Sequence, residues 1–220
     1  DYAKAFDKVD INILIAKLER YGLRGKVLNW IRCFLTDRYQ TVVVDGTKSS
    51  RERVRSGVPQ GTVLGPPLFI VYVADLVSAV QFSLPKTLAD DTKLIKAIEN
   101  EESQAQLQND LNEVGRWSKA NNMSLNEEKF EVLHYTLNRT LLLRQLPFTS
   151  DLDTYYTPDG SEIEPKPCVR DLGVRLANDL SWDLHIGKMT ADARRMSGWV
   201  LRAFKTRQTK PMIILYKSLV

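Results

Sequence analysis

Cysteine and histidine are scarce: two of each in 220 residues. Cys33 and Cys168 stand far apart with no Cys/His cluster near them, which argues against a zinc knuckle and suits a reducing compartment, with both read as buried thiols. No apolar stretch free of charge approaches the roughly 20 residues of a membrane helix, and no signal-peptide pattern opens the chain. A Gly-rich phosphate loop, a βαβ fingerprint, an internal repeat and a low-complexity run are all missing. An antiparallel sheet with helices on one face is therefore the expected architecture.

What is present is a globular composition, 43% hydrophobic and 26% charged, enough for one substantial domain or one and part of another. The chain begins on Asp1 and ends on "IILYKSLV" in mid-pattern, so the expectation is a piece of a longer polypeptide. The net charge of +4 is uneven. Residues 181–220 hold eight basic side chains (Lys188, Arg194, Arg195, Arg202, Lys205, Arg207, Lys210, Lys217) against Asp183 and Asp192, +6 in that segment alone. Such a segment beside an acidic cluster suits a phosphate backbone, although a solvated helix face has the same look.

Periodicity predicts a helix over 11–21 on Ile11, Leu14, Ile15 and Leu18, ended by Gly22, and another after Gly25 on Leu28, Ile31, Phe34 and Leu35. "YQTVVVDGTK" reads as a hairpin turning at Asp45-Gly46. "SGVPQGTVLGPPLF" is a rigid loop entering a helix, with Pro66 and Pro67 in its first turn. Short β-like runs, 86–89 and 92–98, flank Asp90 and Asp91. A long helix capped by Asn100 buries Leu107, Leu111, Val114 and Trp117. "KFEVLHY" reads as a strand, a further hairpin surrounds Pro158-Asp159-Gly160, and the basic tail is helical, broken or restarted at Pro211.

The adjacent pair Asp90-Asp91 is ambiguous by itself. With 16 Asp in the chain, about one such pair arises by chance, and Asx residues at a hairpin tip are ordinary turn chemistry. Two further segments give it company: "DYAKAFD" at residues 1–7 and "GVPQG" at 57–61, ahead of "LADD" at 88–91. In this order and spacing the three motifs resemble the core of reverse transcriptases, those of non-LTR (LINE-type) retrotransposons above all. The segments "GLRGKVLNWIRCFLTDRYQTVVVDG", "GTVLGPPLFIVYVADL", "LQNDLNEVGRWSKANNMSLNEEKFEVLHY" and "RDLGVRLANDLSWDLHI" are similar to that family's connecting stretches. The resemblance covers nearly the whole chain and is weakest over 140–165.

The resemblance implies an α+β right-hand polymerase fold: palm at 1–11 and 56–177, fingers-side helices and hairpin at 12–55, and a basic helical thumb at 178–220. It implies an RNA-directed DNA polymerase acting on an RNA template, a DNA primer and deoxynucleoside triphosphates. Two Mg²⁺ ions roughly 4 Å apart would serve attacking and leaving oxygens, held by Asp1, Asp90, Asp91 and the carbonyl of Tyr2. Phe6 would lie under the incoming sugar, and Gln60 and Gly61 would border the nucleotide. Gly61 would let the backbone approach closely. Lys129 would protonate pyrophosphate, and Leu172 and Gly173 would form the primer grip. Asp7 is expected to cap a helix or be structural rather than bind metal.

Three positions depart from the family pattern: Leu88 where an aromatic is usual, Pro67 for Leu, and Ile11 for His. With the chain starting on Asp1, the strand beneath it is largely absent and the isolated piece is expected to be inactive or weak. The competing reading is a catalytically dead or domesticated remnant that binds nucleic acid. The expected location is intracellular, nuclear or cytoplasmic, and the oligomeric state is open.

Overall fold

The computed structural model describes residues 2, 4–135, 154–205 and 208–219. The chain divides into two units, Asp1–Phe130 with Ser150–Ile163, and Glu131–Thr149 with Glu164–Val220.

The first unit opens with a one-turn helix α1 (Ala5–Lys8), then α2 (Ile11–Arg20) and α3 (Gly25–Leu35). Asp10 caps α2, its carboxylate accepting from the backbone N–H of Asn12 at 2.9 Å and Ile13 at 3.2 Å, which satisfies donors that the first helical turn leaves open. Leu14, Ile15 and Leu18 of α2 and Leu28, Ile31 and Leu35 of α3 are buried, as their spacing predicts. Cys33 is exposed, correcting the expectation of a buried thiol. At about 100° per residue, position 33 turns away from the face that 31 and 35 share.

A ribbon follows: β1 (Tyr39–Gln40) pairs with β4 (Glu52–Arg53), and β2 (Val43–Val44) with β3 (Thr47–Lys48). Asp45 and Gly46 both take positive φ, 48° and 80°, the twist that a two-residue hairpin turn needs. α4 (Gly65–Val73) begins with Pro66 and Pro67 in its first turn, where no intrahelical N–H is lost, so Pro67 costs the helix nothing. A 3₁₀ helix continues over Ala74–Ala79. β5 (Leu84–Leu88) and β6 (Asp91–Ile95) form the next hairpin. α5 (Glu101–Ala120) opens on a reciprocal cap between Asn100 and Ser103. Val114 and Trp117 enter the core, while Leu107 and Leu111 are half-buried. β7 (Tyr155–Tyr156) and β8 (Glu162–Ile163) pair around the expected turn at 158–160.

The second unit contains the hairpin β9 (Cys168–Asp171) and β10 (Val174–Ala177), then α6 (Asp183–Ala203) and α7 (Thr209–Leu219). Pro211 sits in the first turn of α7 and restarts the helix. Among the described residues of this unit only Ala177 and Val200 are buried apolar side chains.

Helices mixed with small antiparallel sheets make this an α+β chain. The single sheet with helices on one face is not what forms: among the described residues the strands make five separate two-stranded ladders. The strand expected at "KFEVLHY" is also absent. Glu127–Lys129 is a 3₁₀ turn and Val132 makes one bridge, to Pro165, whose missing N–H stops a ladder from propagating. Beneath the first motif, pairing among the described residues is one bridge, Tyr2 to Leu125. No helix among the described residues is long and apolar enough to cross a membrane.

Candidate catalytic site

The first two motifs are bonded to each other through their backbones. Gly57 N–H donates to Val9 O at 2.8 Å and Val58 N–H to Phe6 O at 2.9 Å. The Ser56 hydroxyl donates to Asp7 O at 2.8 Å, and the Gln60 amide to the Asp7 carboxylate at 3.0 Å. Gly57 makes this possible: it has φ 86°, and a Cβ there would lie 2.8 Å from Asp7 Cα. Arg38 braces the loop, donating to Gly57 O at 2.5 Å and Leu35 O at 2.8 Å, and burial pushes its pKa down. Phe6 stacks on the buried Phe69 with ring centroids 4.5 Å apart.

Of the two roles expected for Asp7, the structural one is what forms: Asp7 lies within α1 and receives Gln60, while capping falls to Asp10. Gly61 has φ 74°, a turn angle that favours glycine, and a Cβ there would meet no protein atom within 4 Å. Close approach within the chain is made by Gly57 and by Gly65, whose Cβ would meet Pro59 O at 2.6 Å.

In the third motif the ladder closes with Leu88 opposite Asp91, leaving Ala89 and Asp90 as the two-residue turn, with Ala89 at φ 53°. Asp90 is half-buried and Asp91 exposed. Leu94 packs against the core, and strand alternation puts Thr92 on that same side with Asp91 on the other. Leu88 is exposed.

Tyr2 meets this hairpin. It is 5% exposed and its ring lies 6.1 Å from that of Trp117. Burial pushes its hydroxyl pKa up to about 12, the Thr92 hydroxyl opposing and the Asp75 charge adding to the rise. The Thr92 hydroxyl thus lies near that of Tyr2. The residue after Asp1 therefore packs beside the residue after Asp91. Asp1 itself, and with it the separation of the Asp1 and Asp90 carboxylates, lies outside the described residues. Among the described residues no three Asp, Glu, His or Cys side chains cluster to hold a metal.

Behind these motifs lies a polar network that composition did not reveal. Lys17 donates to Asp75 at 2.7 Å and to Tyr72 O at 2.5 Å, with its Nζ 4.7 Å from the Tyr72 ring centroid and 5.0 Å from that of Trp117. Burial lowers the Lys17 pKa, with Asp75 opposing. Trp117 Nε1 donates to Asp75 at 2.9 Å. Tyr72 donates to Asn121 O at 2.5 Å, and burial pushes its pKa up to about 12. Asp110 is fully buried and anchors the entry to β5. It accepts from the backbone N–H of Gln81, Phe82 and Ser83 at 2.9, 3.0 and 2.7 Å and from the Ser83 hydroxyl at 2.6 Å. Burial alone would raise its pKa, but those donors together hold it below the usual carboxylate value. The signal was in the sequence: Asp110 falls on the stripe of Leu107 and Val114, and Asp75 is the one charge in the apolar run 68–80.

Of the remaining candidates, Lys129 ends the Glu127–Lys129 turn and is exposed. Leu172 and Gly173 form the β9–β10 turn in the second unit, at φ 47° and 90°.

The family model for reverse transcriptase (RNA-dependent DNA polymerase) matches residues 1–176. An RNA-directed DNA polymerase from mobile element jockey of Drosophila melanogaster is 28% identical over all of this chain and 24% of its own length. A probable RNA-directed DNA polymerase from transposon BS of the same species is 29% identical over 86% of this chain and 21% of its own. The Pol polyprotein of the type-1 retrotransposable element R2 of Popillia japonica is 27% identical over 75% of this chain and 27% of its own. The chain spans about a quarter of the length of these relatives. With three motifs in family order and four-fifths of its length matched by the family model, this chain belongs to the reverse transcriptase family.

Proposed function

We propose that this chain carries the nucleotidyl-transfer core of an RNA-directed DNA polymerase of a non-LTR retrotransposon, using an RNA template, a DNA primer and deoxynucleoside triphosphates. The observation that carries the reading is the gathering of three distant motifs in one unit. The 57–61 loop is bonded to residues 6 and 9, and Thr92 lies against Tyr2.

Asp1, Asp90, Asp91 and the Tyr2 carbonyl would hold two Mg²⁺ ions. The donors fit: all are hard oxygens, as Mg²⁺ prefers, and no Cys or His stands in the three motifs. When bound there, the ions supply the charge that acidifies the primer 3′-hydroxyl and stabilises departing pyrophosphate. The chain's own contribution is placement. The turn at 89–90 would aim Asp90 toward the first motif. Phe6, backed by Phe69, would underlie the sugar and disfavour a ribose 2′-hydroxyl. Gln60, steadied by Asp7, and Gly61 would border the nucleotide. Lys129 would give a proton to pyrophosphate, and the Leu172-Gly173 turn would steady the primer. In these terms residues 1–11 and 56–177 are palm, 12–55 fingers side, and 178–220 a thumb whose charge suits phosphates.

The test is Mg²⁺-dependent extension of a DNA primer on an RNA template by the polypeptide that carries this chain. Extension is expected, and Asp90→Ala should lower it about a thousandfold or more. Extension that survives the substitution removes Asp90 from the mechanism. RNA binding without extension favours a dead, nucleic-acid-binding remnant.

A further inference from the structure

Gln60 is exposed, yet the backbone that carries it is fixed on both sides. Before it, Gly57 and Val58 are bonded to Val9 O and Phe6 O. After it, the Thr62 hydroxyl donates to Pro59 O at 2.7 Å and accepts from Gly65 N–H at 3.1 Å. What the backbone leaves open is the direction of the amide, set by the side-chain torsions and by whatever the amide bonds to. That bond runs from Gln60 Nε2 to Asp7 Oδ1 at 3.0 Å.

A carboxylate only accepts hydrogen bonds, whereas an amide has a donor end and an acceptor end. Asp7 therefore selects between the two ends of Gln60. It draws in the NH₂ group and leaves the carbonyl oxygen Oε1 without a bond among the described residues. Asp7 is itself anchored. Its N–H donates to Lys4 O at 3.0 Å, and its carbonyl accepts from the Ser56 hydroxyl at 2.8 Å. It also follows Phe6, the proposed floor of the sugar, so one turn of helix would supply both that floor and the aim of Gln60.

We propose that Asp7 is a positioning residue that aims the Gln60 carbonyl oxygen at the incoming nucleotide, where it accepts from a hydrogen-bond donor on sugar or base. The inference rests on the placement of Gln60 at the nucleotide proposed above. Asp7 then matters to nucleotide affinity through Gln60 and not through the fold, since its side chain is exposed and makes this one bond among the described residues.

The test uses the polypeptide that carries this chain, on an RNA template with a DNA primer. Binding of the templated deoxynucleoside triphosphate to a complex with a dideoxy-terminated primer gives Kd. Single-nucleotide extension of an ordinary primer gives kcat and KM, with melting temperature alongside. Asp7→Ala should raise Kd and KM about three- to tenfold, the worth of one hydrogen bond, with kcat within about twofold and melting temperature unchanged. Gln60→Ala should raise Kd at least as much, and the double variant no further, since both remove one contact. Asp7→Asn should weaken binding slightly, because its amide can turn either end to Gln60. In a Gln60→Glu background the same substitution should instead strengthen binding, by replacing two facing carboxylates with a donor and an acceptor.

Additive effects of Asp7→Ala and Gln60→Ala, or an Asp7→Asn effect of one sign in both backgrounds, overturn the inference. An Asp7→Ala protein that melts lower and binds as before overturns it equally, as a structural role only. If Gln60→Ala leaves Kd unchanged while wild type extends and Asp90→Ala does not, the inference falls and the polymerase reading stands. If wild type neither binds the nucleotide nor extends, that reading fails and takes this inference with it.

Discussion

The two units of the chain are ordered by different means. In the first, helices α2, α4 and α5 share a core with Tyr2, Phe69, Tyr72 and Trp117, and polar bonds tie segments far apart in sequence, such as Lys17 to Asp75 and Asp110 to Ser83. In the second, long-range ties are few, Val132 bridging Pro165 and Lys166 pairing with Glu131, and most of the ordering is local. A two-residue turn closes β9 on β10, and Asp192 pairs with Lys188 and Arg195 one turn away on the same helix. α7 buries no side chain, and Trp182, Ile186, Trp199, Ile214 and Tyr216 are exposed. Buried packing and long-range polar bonds are thus concentrated in the unit that contains the three motifs.

The comparison breaks most easily at Asp110. Asp110→Ala strands three backbone N–H donors and a hydroxyl, at about 1–3 kcal/mol each, so a loss of about 4 kcal/mol or more is expected in urea unfolding. Amide exchange should accelerate throughout the first unit. Protection unchanged there would mean that long-range polar bonds are not what distinguishes it. Acid should act through the same group. Its folded pKa is depressed, so its contribution is complete above its unfolded pKa, near 4, and is lost as pH falls through the folded value.

Alkali should discriminate next. Tyr2 and Tyr72 have folded pKa values of about 12 against an ordinary 10. Below pH 10 neither matters, and above it the unfolded chain ionises first, so stability falls until about pH 12. At pH 11 the two together should cost about 2–3 kcal/mol, measured by unfolding across pH, and Tyr72→Phe should remove about half of that pH dependence. Gly57→Ala follows, with a Cβ 2.8 Å from Asp7 Cα at φ 86°: about 2 kcal/mol, with faster exchange at Gly57 and Val58. Gly61→Ala pays only for its φ, about 1 kcal/mol, and equal losses would remove the case for close packing of the first two motifs. In the second unit, Val200→Ala should cost about 1.5 kcal/mol. Asp192→Ala should shift the melting temperature least of all, its partners being exposed.

Much of the first unit's local structure was legible. The stripes of α2 and α3 follow from 3.6-residue periodicity, and the Asp45-Gly46 hairpin follows from residues that tolerate positive φ. The motifs were legible too, including the turn at Asp90. The single sheet was not, because strand propensity says nothing about which strands pair, and a proline opposite Val132 ended one candidate ladder. Whether Asp7 caps a helix or serves structure was not legible, because capping preference is short-range. What decided its role was Gln60, 53 residues away.

The sequence by itself determined the family and the order of its motifs, and the positions of the helices and most of the turns, since each depends on residues within a few places of one another. Tertiary structure decided which polar groups were satisfied and by whom. Asp110 found donors 27 to 29 residues away, and Lys17 found Asp75 58 residues away. Burial of a polar group is settled by the partners that the folded chain brings to it, and those partners are not its neighbours in sequence.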